Sequence, residues 1–434
     1  MITARVFRQF SIAAVVAIVG GLAFTRTESR FTRESRNAAP ARDGAVGANE
    51  PGFSERADRD VQISVWNQAL TADPISAIAM GQLAALHLQR AREGGTWEDY
   101  VQAESLARRS LGKRTNRNSA TASTLVSVLL AQHRFTEARE VATELVLRDP
   151  DVPQYRATLG EVAMELGDDV AADSLFRSVW EQRSMLSIAP RVARWLELTN
   201  HVREARRLLI TARREAMSRR EIAKETKAWF HLRVADLELR SGRLRAAEAA
   251  IRDGLTVEPN DPRLLSAMAR VADANGDYTQ VVAWGERAIG LQLDPGTLGL
   301  VGDAYSAMGD SARAREYFET LEVAVSMQPG AYHRAWSLYL LDHGLRVNEV
   351  LSKAQAELTS RKDVYGYDVL AWALHKAGRQ AEAQAAMRAA LRLGTPDPLL
   401  TRHARAIIGV EGVVASNTSS PRRSPLRLSP LGED

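Results

Sequence analysis

Between residues 61 and 410 the apolar positions fall three and four apart, the spacing of helices that each keep one face dry. No run of alternating β-branched residues interrupts them, and no Asn-Gly hairpin does either, so the pattern predicts helices and no sheet. The helices come in pairs. A mark that follows a turn and opens a second helix recurs at Ala103, Ala138, Ala172, Ala205, Ala247, Val281, Ala314, Glu349 and Ala383. The intervals are 35, 34, 33, 42, 34, 33, 35 and 34, so seven of eight lie within one residue of 34. A spacing held that closely is the signature of stacked repeats.

The residues around each mark explain the period. Five positions upstream stand Gly167, Gly242, Gly276, Gly309, Gly344 and Gly378, with His133 and Asn200 in two other units. Such residues end a helix in the left-handed conformation at the least steric cost. Twelve upstream come Gly160, Ala193, Ala235, Ala269, Gly302, Ser337 and Ala371, small enough for two helices to cross closely; Val126 departs from this. Four downstream, Ala142, Phe176, Leu209, Ile251, Phe318 and Met387 keep the second helix apolar on one side. At the joints, Asp73-Pro74, Asp149-Pro150, Asp261-Pro262, Asp294-Pro295 and Asp397-Pro398 set a capping carboxylate before a first-turn proline.

A helix–turn–helix of this length with Leu, Gly, Tyr, Gly, Ala, Phe and Pro at fixed offsets resembles the tetratricopeptide repeat. The fullest copy is Leu298, Val301-Gly302, Tyr305, Gly309, Ala314 and Phe318, followed by Pro329; Leu159-Gly160 with Gly167, Ala172 and Phe176 is another. The resemblance covers residues 61–410. It implies an all-α solenoid, a right-handed superhelix of about nine such units, whose usual work is protein binding. The last third, with AYHRAWSLYLLDHG and DVYGYDVLAWALHKAGR, also resembles exported bacterial tetratricopeptide proteins, a likeness that supplies no function. The pentatricopeptide RNA-binding repeat has a similar length, but the Ala-and-Gly pattern and the lack of basic excess argue against it.

Two departures subdivide the array. The 42-residue interval contains Arg213 to Lys227, nine of fifteen residues charged, which reads as a solvated helix extension or as a hinge. It separates a first block at 61–212 from a second at 228–410, with 213–227 between them. At the start, Trp66, Ala69-Leu70 and Pro74 fit a second helix, so the array opens on half a unit, and REGGTWE lengthens the next turn.

The flanks differ from the array. Arg5 and Arg8 precede the apolar run Phe10 to Phe24, with small residues at Gly21 and Ala23, and this predicts a secretory signal or membrane anchor over 1–25. Fifteen residues of helix reach about 22 Å, short of a hydrocarbon core of about 30 Å. Cleavage after Ala23 is the first reading; an uncleaved tether is the second, since Arg26, Arg30, Arg33 and Arg36 follow. Either expects the rest of the chain to be exported, periplasmic or extracytoplasmic, with membrane contact only through the N-terminal segment. Residues 26–60 and the Ser/Pro/Arg-rich 411–434 have no apolar period and read as a disordered linker and a disordered tail.

Charge narrows the function. The formal net charge is +4, and over 61–410 basic residues exceed acidic ones by only two, without the clustered excess of a nucleic-acid surface. The chain has no cysteine, which removes disulfides, thiolate metal sites and thiol catalysis together. His87, His133, His201, His231, His333, His343, His375 and His403 form no His-x-His or His-Glu-x-x-His pair, and no Gly-x-Ser-x-Gly elbow or phosphate-binding glycine loop is present. No cofactor, metal or catalytic set is expected. An envelope enzyme or enzyme subunit is the alternative from another class, and a nucleic-acid-binding repeat the weaker one.

The expected site is a groove, because the first helices of a stacked array line its concave side. Where Tyr367, Leu370, Ala371 and Leu374 form the core, the adjacent face carries Asp368, Trp372 and His375. The same offset gives Arg194, Asp236, Arg270, Asp303 and Arg334, with Arg233 beside them, and places Trp229 on this face as well. Trp180, Trp195, Trp284 and Trp336 fall at core positions instead. Arginine forks take carboxylates, and an aromatic ring anchors a bound chain, so a protein or peptide partner is expected. The family's chaperone-tail clamp uses Lys and Asn at groove places that here hold Glu161, Arg194, Asp236, Arg270 and Asp303, so that specificity is not carried over.

Overall fold

The computed structural model describes residues 55–326 and 334–419, and every regular element among them is helical. The leader at 1–25, residues 26–54, Pro329 and residues 420–434 lie outside the described residues. Twenty α-helices follow one another: α1 (Glu55–Ala72), α2 (Ala77–Arg92), α3 (Trp97–Lys113), α4 (Ser119–Ala131), α5 (Phe135–Arg148), α6 (Pro153–Leu166) and α7 (Asp169–Ser178). A short 3₁₀ turn at Trp180–Gln182 leads to α8 (Ala189–Leu198), α9 (Val202–Ser218), α10 (Lys224–Arg240), α11 (Leu244–Val257), α12 (Pro262–Ala274) and α13 (Tyr278–Leu291). The rest are α14 (Pro295–Ala307), α15 (Ser311–Ser326), α16 (Arg334–Asp342), α17 (Val347–Glu357), α18 (Val364–Lys376), α19 (Gln380–Ala390) and α20 (Pro398–Ser419). From α2 to α19 they pack as nine hairpins, with α1 in front as the half unit and α20 closing the row. Two boundaries move: α1 begins inside the stretch read as linker, and α20 runs nine residues into the tail. Among the described residues no helix is long and apolar enough to cross a membrane.

The turn chemistry is visible in the backbone. Gly167, Gly242, Gly276, Gly309, Gly344 and Gly378, with His133 and Asn200, all have φ between 59° and 83°. The marks sit in the interior: Ala103, Ala138, Ala172, Ala205, Ala247, Val281, Ala314 and Ala383 are buried. Glu349 is the exception. It is exposed, and Val350 takes the buried place, because Arg346 adds a second left-handed residue after Gly344 and starts α17 one residue late.

Three of the five Asp-Pro joints cap as expected. Asp261 accepts from the backbone N–H of Arg263 and Leu264, Asp294 from Gly296 and Thr297, and Asp397 from Leu399 and Leu400. At Asp73 and Asp149 the helix starts later, at Ala77 and Pro153, and Asp149 instead accepts from the Ser119 hydroxyl at 2.9 Å. Most of the extra length in the long interval is helix: α9 and α10 have 17 residues each, against 14 and 13 in α11 and α12, with 219–223 as the connection between them. One core cluster runs from Ala157 to Val271 straight through this region, with Ala212, Ala216, Ala228 and Phe230 in it. A second gathers Leu298 to Ile407 and a third Ile63 to Leu166; Leu393 packs against both of the first two, and small clusters around Val281 and Tyr305 lie between them.

Candidate binding groove

The face that the first helices share is built by the repeat itself. Side chains one period apart stand on neighbouring first helices at one height, so a charge meets its counter-charge about 34 residues on. Arg270 donates to Asp236 at 2.9 Å, Arg334 to Asp368 at 2.7 Å, and Asp368 also meets His403 Nδ1 at 2.8 Å. The predicted residues therefore form rungs of a ladder as well as a surface.

Its first part is buried. Arg194 on α8 pairs with Glu197 at 2.9 Å and donates to the Tyr365 hydroxyl at 3.1 Å, its guanidinium lying over that ring. Arg233 on α10 is 4 % exposed and stands 3.6 Å from Asp236, with Nε and one terminal nitrogen lacking hydrogen-bond partners. Burial, and then the neighbouring Arg240, bring its pKa down to about 10. Burial opposes the charge on Asp236, yet Arg270, Arg240 and Arg233 hold that carboxyl below its usual range. Glu161, also at a groove place, pairs with Arg191 at 2.6 Å, and Glu197 pairs with Arg240; sequence reasoning missed Arg191, Glu197 and Arg240. Burial pushes Glu161 up to about 7 despite Arg191.

The later part is open. Arg270 and Asp303 keep about half of their side chains exposed, 44 % and 52 %. Burial, and then Asp273 and Asp342, raise Asp303 against the pull of His343, whose Nε2 lies 3.3 Å away. Asp368 is fully buried; burial opposes its charge, but the bonds from His403 and Arg334 keep its pKa low. Trp372 is enclosed between His375 and His403, with ring centroids 5.2 and 4.3 Å away, and its indole N–H donates to Asp342 at 2.7 Å. His375 is half-buried and faces Gln380 Oε1 at 3.0 Å. Trp229, expected on this face, packs edge-on against Phe230 in the interior.

The structure thus makes one group of Arg233, Asp236 and Arg270, and another of Arg334, Asp368, Trp372 and His375. Asp303 lies between them, and Arg194 joins Tyr365, 171 residues away. A 34- or 35-residue offset from Asp368 would have found His403. No offset within one unit finds Tyr365.

The open spaces are modest. A water-sized cavity of about 20 Å³ lies between Met164, Glu165, Arg194, Tyr365 and Arg392, and a shallow recess of about 600 Å³ runs along Asp60, Ile63, Asn67 and Thr71 of α1. Among the described residues no three His, Asp or Glu side chains gather as a metal would require.

In sequence, models of the tetratricopeptide repeat match residues 124–179 and 232–296, and another matches 296–321. No curated protein matches the chain. Among solved structures, the Cut9-Hcn1 hetero-tetramer of the APC/C is 14% identical, covering 81% of this chain and 73% of its own, with a TM-score of 0.42. The human IFIT1 dimer with PPP-AAAA is 15% identical over 80% of this chain and 96% of its own, also at 0.42. Pseudomonas aeruginosa pilF is 15% identical over 61% and 92%, at 0.30.

Proposed function

Because the chain is a tetratricopeptide-repeat protein, we propose that it is a non-catalytic scaffold that holds a peptide or protein segment along its concave face. The observation that carries this reading is the open stretch from α12 to α18. There Arg270, Asp303 and Arg334 present charges of both signs, with the His375 ring on the same face, on helices stacked in register. Fixed forks and carboxylates of this kind read a polypeptide's own charged side chains at little entropic cost. Beside this stretch, His403 has its Nδ1 on Asp368 and its Nε2 buried without a hydrogen bond, so that histidine–carboxylate pair is shut away from a ligand. A nucleic-acid ligand would require affinity that falls steeply with salt.

We place the work in the bacterial envelope, exported and free or held by an uncleaved N-terminal segment. The support is the basic start and the apolar run Phe10 to Phe24. Fusing residues 1–60 to a reporter active only outside the cytoplasm tests this, and a silent fusion would refute it.

Arg334 is a poor choice for testing the groove, since reversing it would set a second acid against buried Asp368. Arg270→Gln, which keeps a donor for Asp236, combined with Asp303→Lys changes the exposed charges instead. Partner recovered from envelope extract should fall about tenfold with the helical circular-dichroism signal intact. Undiminished recovery would remove the groove from the account.

A further inference from the structure

The ends of the first helices α6 and α8 are already occupied, and by the chain itself. The Lys362 backbone N–H donates to the Leu166 carbonyl at 2.9 Å, and the Thr395 hydroxyl donates to the Leu198 carbonyl at 2.7 Å. Leu166 and Leu198 end the first helices α6 and α8, so these are terminal carbonyls that no turn of their own helix satisfies. Arg392 grips Asp169 through two bonds of 2.7 and 3.1 Å and reaches the Lys362 carbonyl at 3.0 Å. Arg194 completes the set on Tyr365. The partners lie 171 to 223 residues apart, roughly five to seven units, so the coil has come round and met itself. At its start Glu55 likewise accepts from the Lys224 backbone N–H at 2.8 Å.

One residue marks this meeting. At the cap glycines Gly242, Gly276, Gly309, Gly344 and Gly378 an added Cβ would touch nothing within 4 Å. At Gly167 it would strike the Lys362 carbonyl, with the Asp363 nitrogen at 2.7 Å. Gly167 therefore serves two ends: it closes α6, and it leaves room for a strand of backbone from a later turn.

We propose that these contacts are a clasp. The connectors 358–363 and 391–397 act as a built-in occupant over the ends of α6 to α8, and the coil must part there before a ligand can reach Arg194. The joint combines charged and hydrogen-bonded groups around a water-sized gap with Tyr365 and Leu393, which pack against the interior of the first half, and parting it breaks no hydrogen bond inside the hairpins on either side. The clasp states how the groove proposed above is reached. Since its test needs no ligand, its failure would leave the binding reading standing.

Gly167→Asn is the decisive variant, with Gly242→Asn as its matched control. Asparagine holds the left-handed cap position at Asn200, so both variants keep the turn. Only the first pushes against Lys362. In Gly167→Asn, amide hydrogen exchange over 189–198 and 359–366 should quicken by about tenfold or more, and X-ray scattering should show a longer particle with unchanged helix content. Gly242→Asn should do neither. Equal behaviour of the two variants, or acceleration confined to the ends of α6 and α7, overturns the clasp. A charge-swap pair decides the matter if Gly167→Asn fails to fold. Asp169→Arg should open the coil, and adding Arg392→Asp should close it again; a double variant as open as the single one overturns the proposal.

Discussion

A methyl group added to Gly302 would meet Phe318, whose Cδ1 lies 2.8 Å from the new Cβ, so two helices of one unit cross there with no spare room. Gly302→Ala should cost about 1–3 kcal/mol through overpacking, read as a lower thermal midpoint. Glu161 tests another consequence of burial. Its carboxyl rises from 4.5 to about 7 in the folded chain, so the protonated form is the one that folding favours. Its contribution is complete below pH 4.5 and is lost as pH climbs through 7, a fall of at most about 3 kcal/mol. Asp236 and Asp368, held low, act with the opposite sign at more acid pH, where stability goes as pH falls through their folded values. Glu161→Gln should therefore make the fall in stability between pH 4.5 and 7 shallower, with Glu357, which burial also raises to about 7, keeping part of the slope. It should leave the acid limb unchanged, as denaturant titrations at several pH values would report. The left-handed residues were legible in advance because their conformation is a local demand that a glycine, an asparagine or a histidine answers. Val350 was not, because the extra left-handed residue is an arginine, a type that carries no such signal.

Among the elements, the caps separate by geometry. Asp261 satisfies two backbone donors of α12 and also pairs with Arg263 at 2.6 Å, whereas Asp73 is exposed and takes a single 3.3 Å bond from Ile75 before its helix has begun. Asp261→Ala should cost about 1–2 kcal/mol and Asp73→Ala less than about 0.5 kcal/mol, measured by urea denaturation. Asp-Pro predicts that a helix restarts nearby, but whether the next residue is already helical depends on how many residues the joint must span. The long interval teaches the same lesson. Fifteen residues dense in charge look detachable, yet Ala212, Ala216 and Ala228 keep an apolar stripe beneath them, and the interior continues. That Arg270 stands by Asp236 and Arg334 by Asp368 was legible because a repeat fixes what stands one unit away. Burial of Arg194 was not, since it depends on which unit lies opposite after a full circuit, and no single period contains that distance.

At the scale of the molecule, two of the interior's three larger bodies, Ala157 to Val271 and Leu298 to Ile407, flank the glycine-bearing α14 and its small clusters, while Ile63 to Leu166 make the third. The contacts of Leu166 with Lys362 and Leu198 with Thr395 tie the two earlier bodies to the last by another route. An open array adds or sheds a unit much as a chain adds a link, with only neighbours noticing. Here the number of units between α6 and α18 is counted, as teeth are counted on a wheel that must mesh. Excising 244–277, one 34-residue period from turn to turn, would leave every neighbouring hairpin with a partner of the same kind, yet Lys362 would arrive a full step away from Leu166. Evolution by duplication, which lengthens open arrays freely, would be confined in this stretch to replacing units one for one.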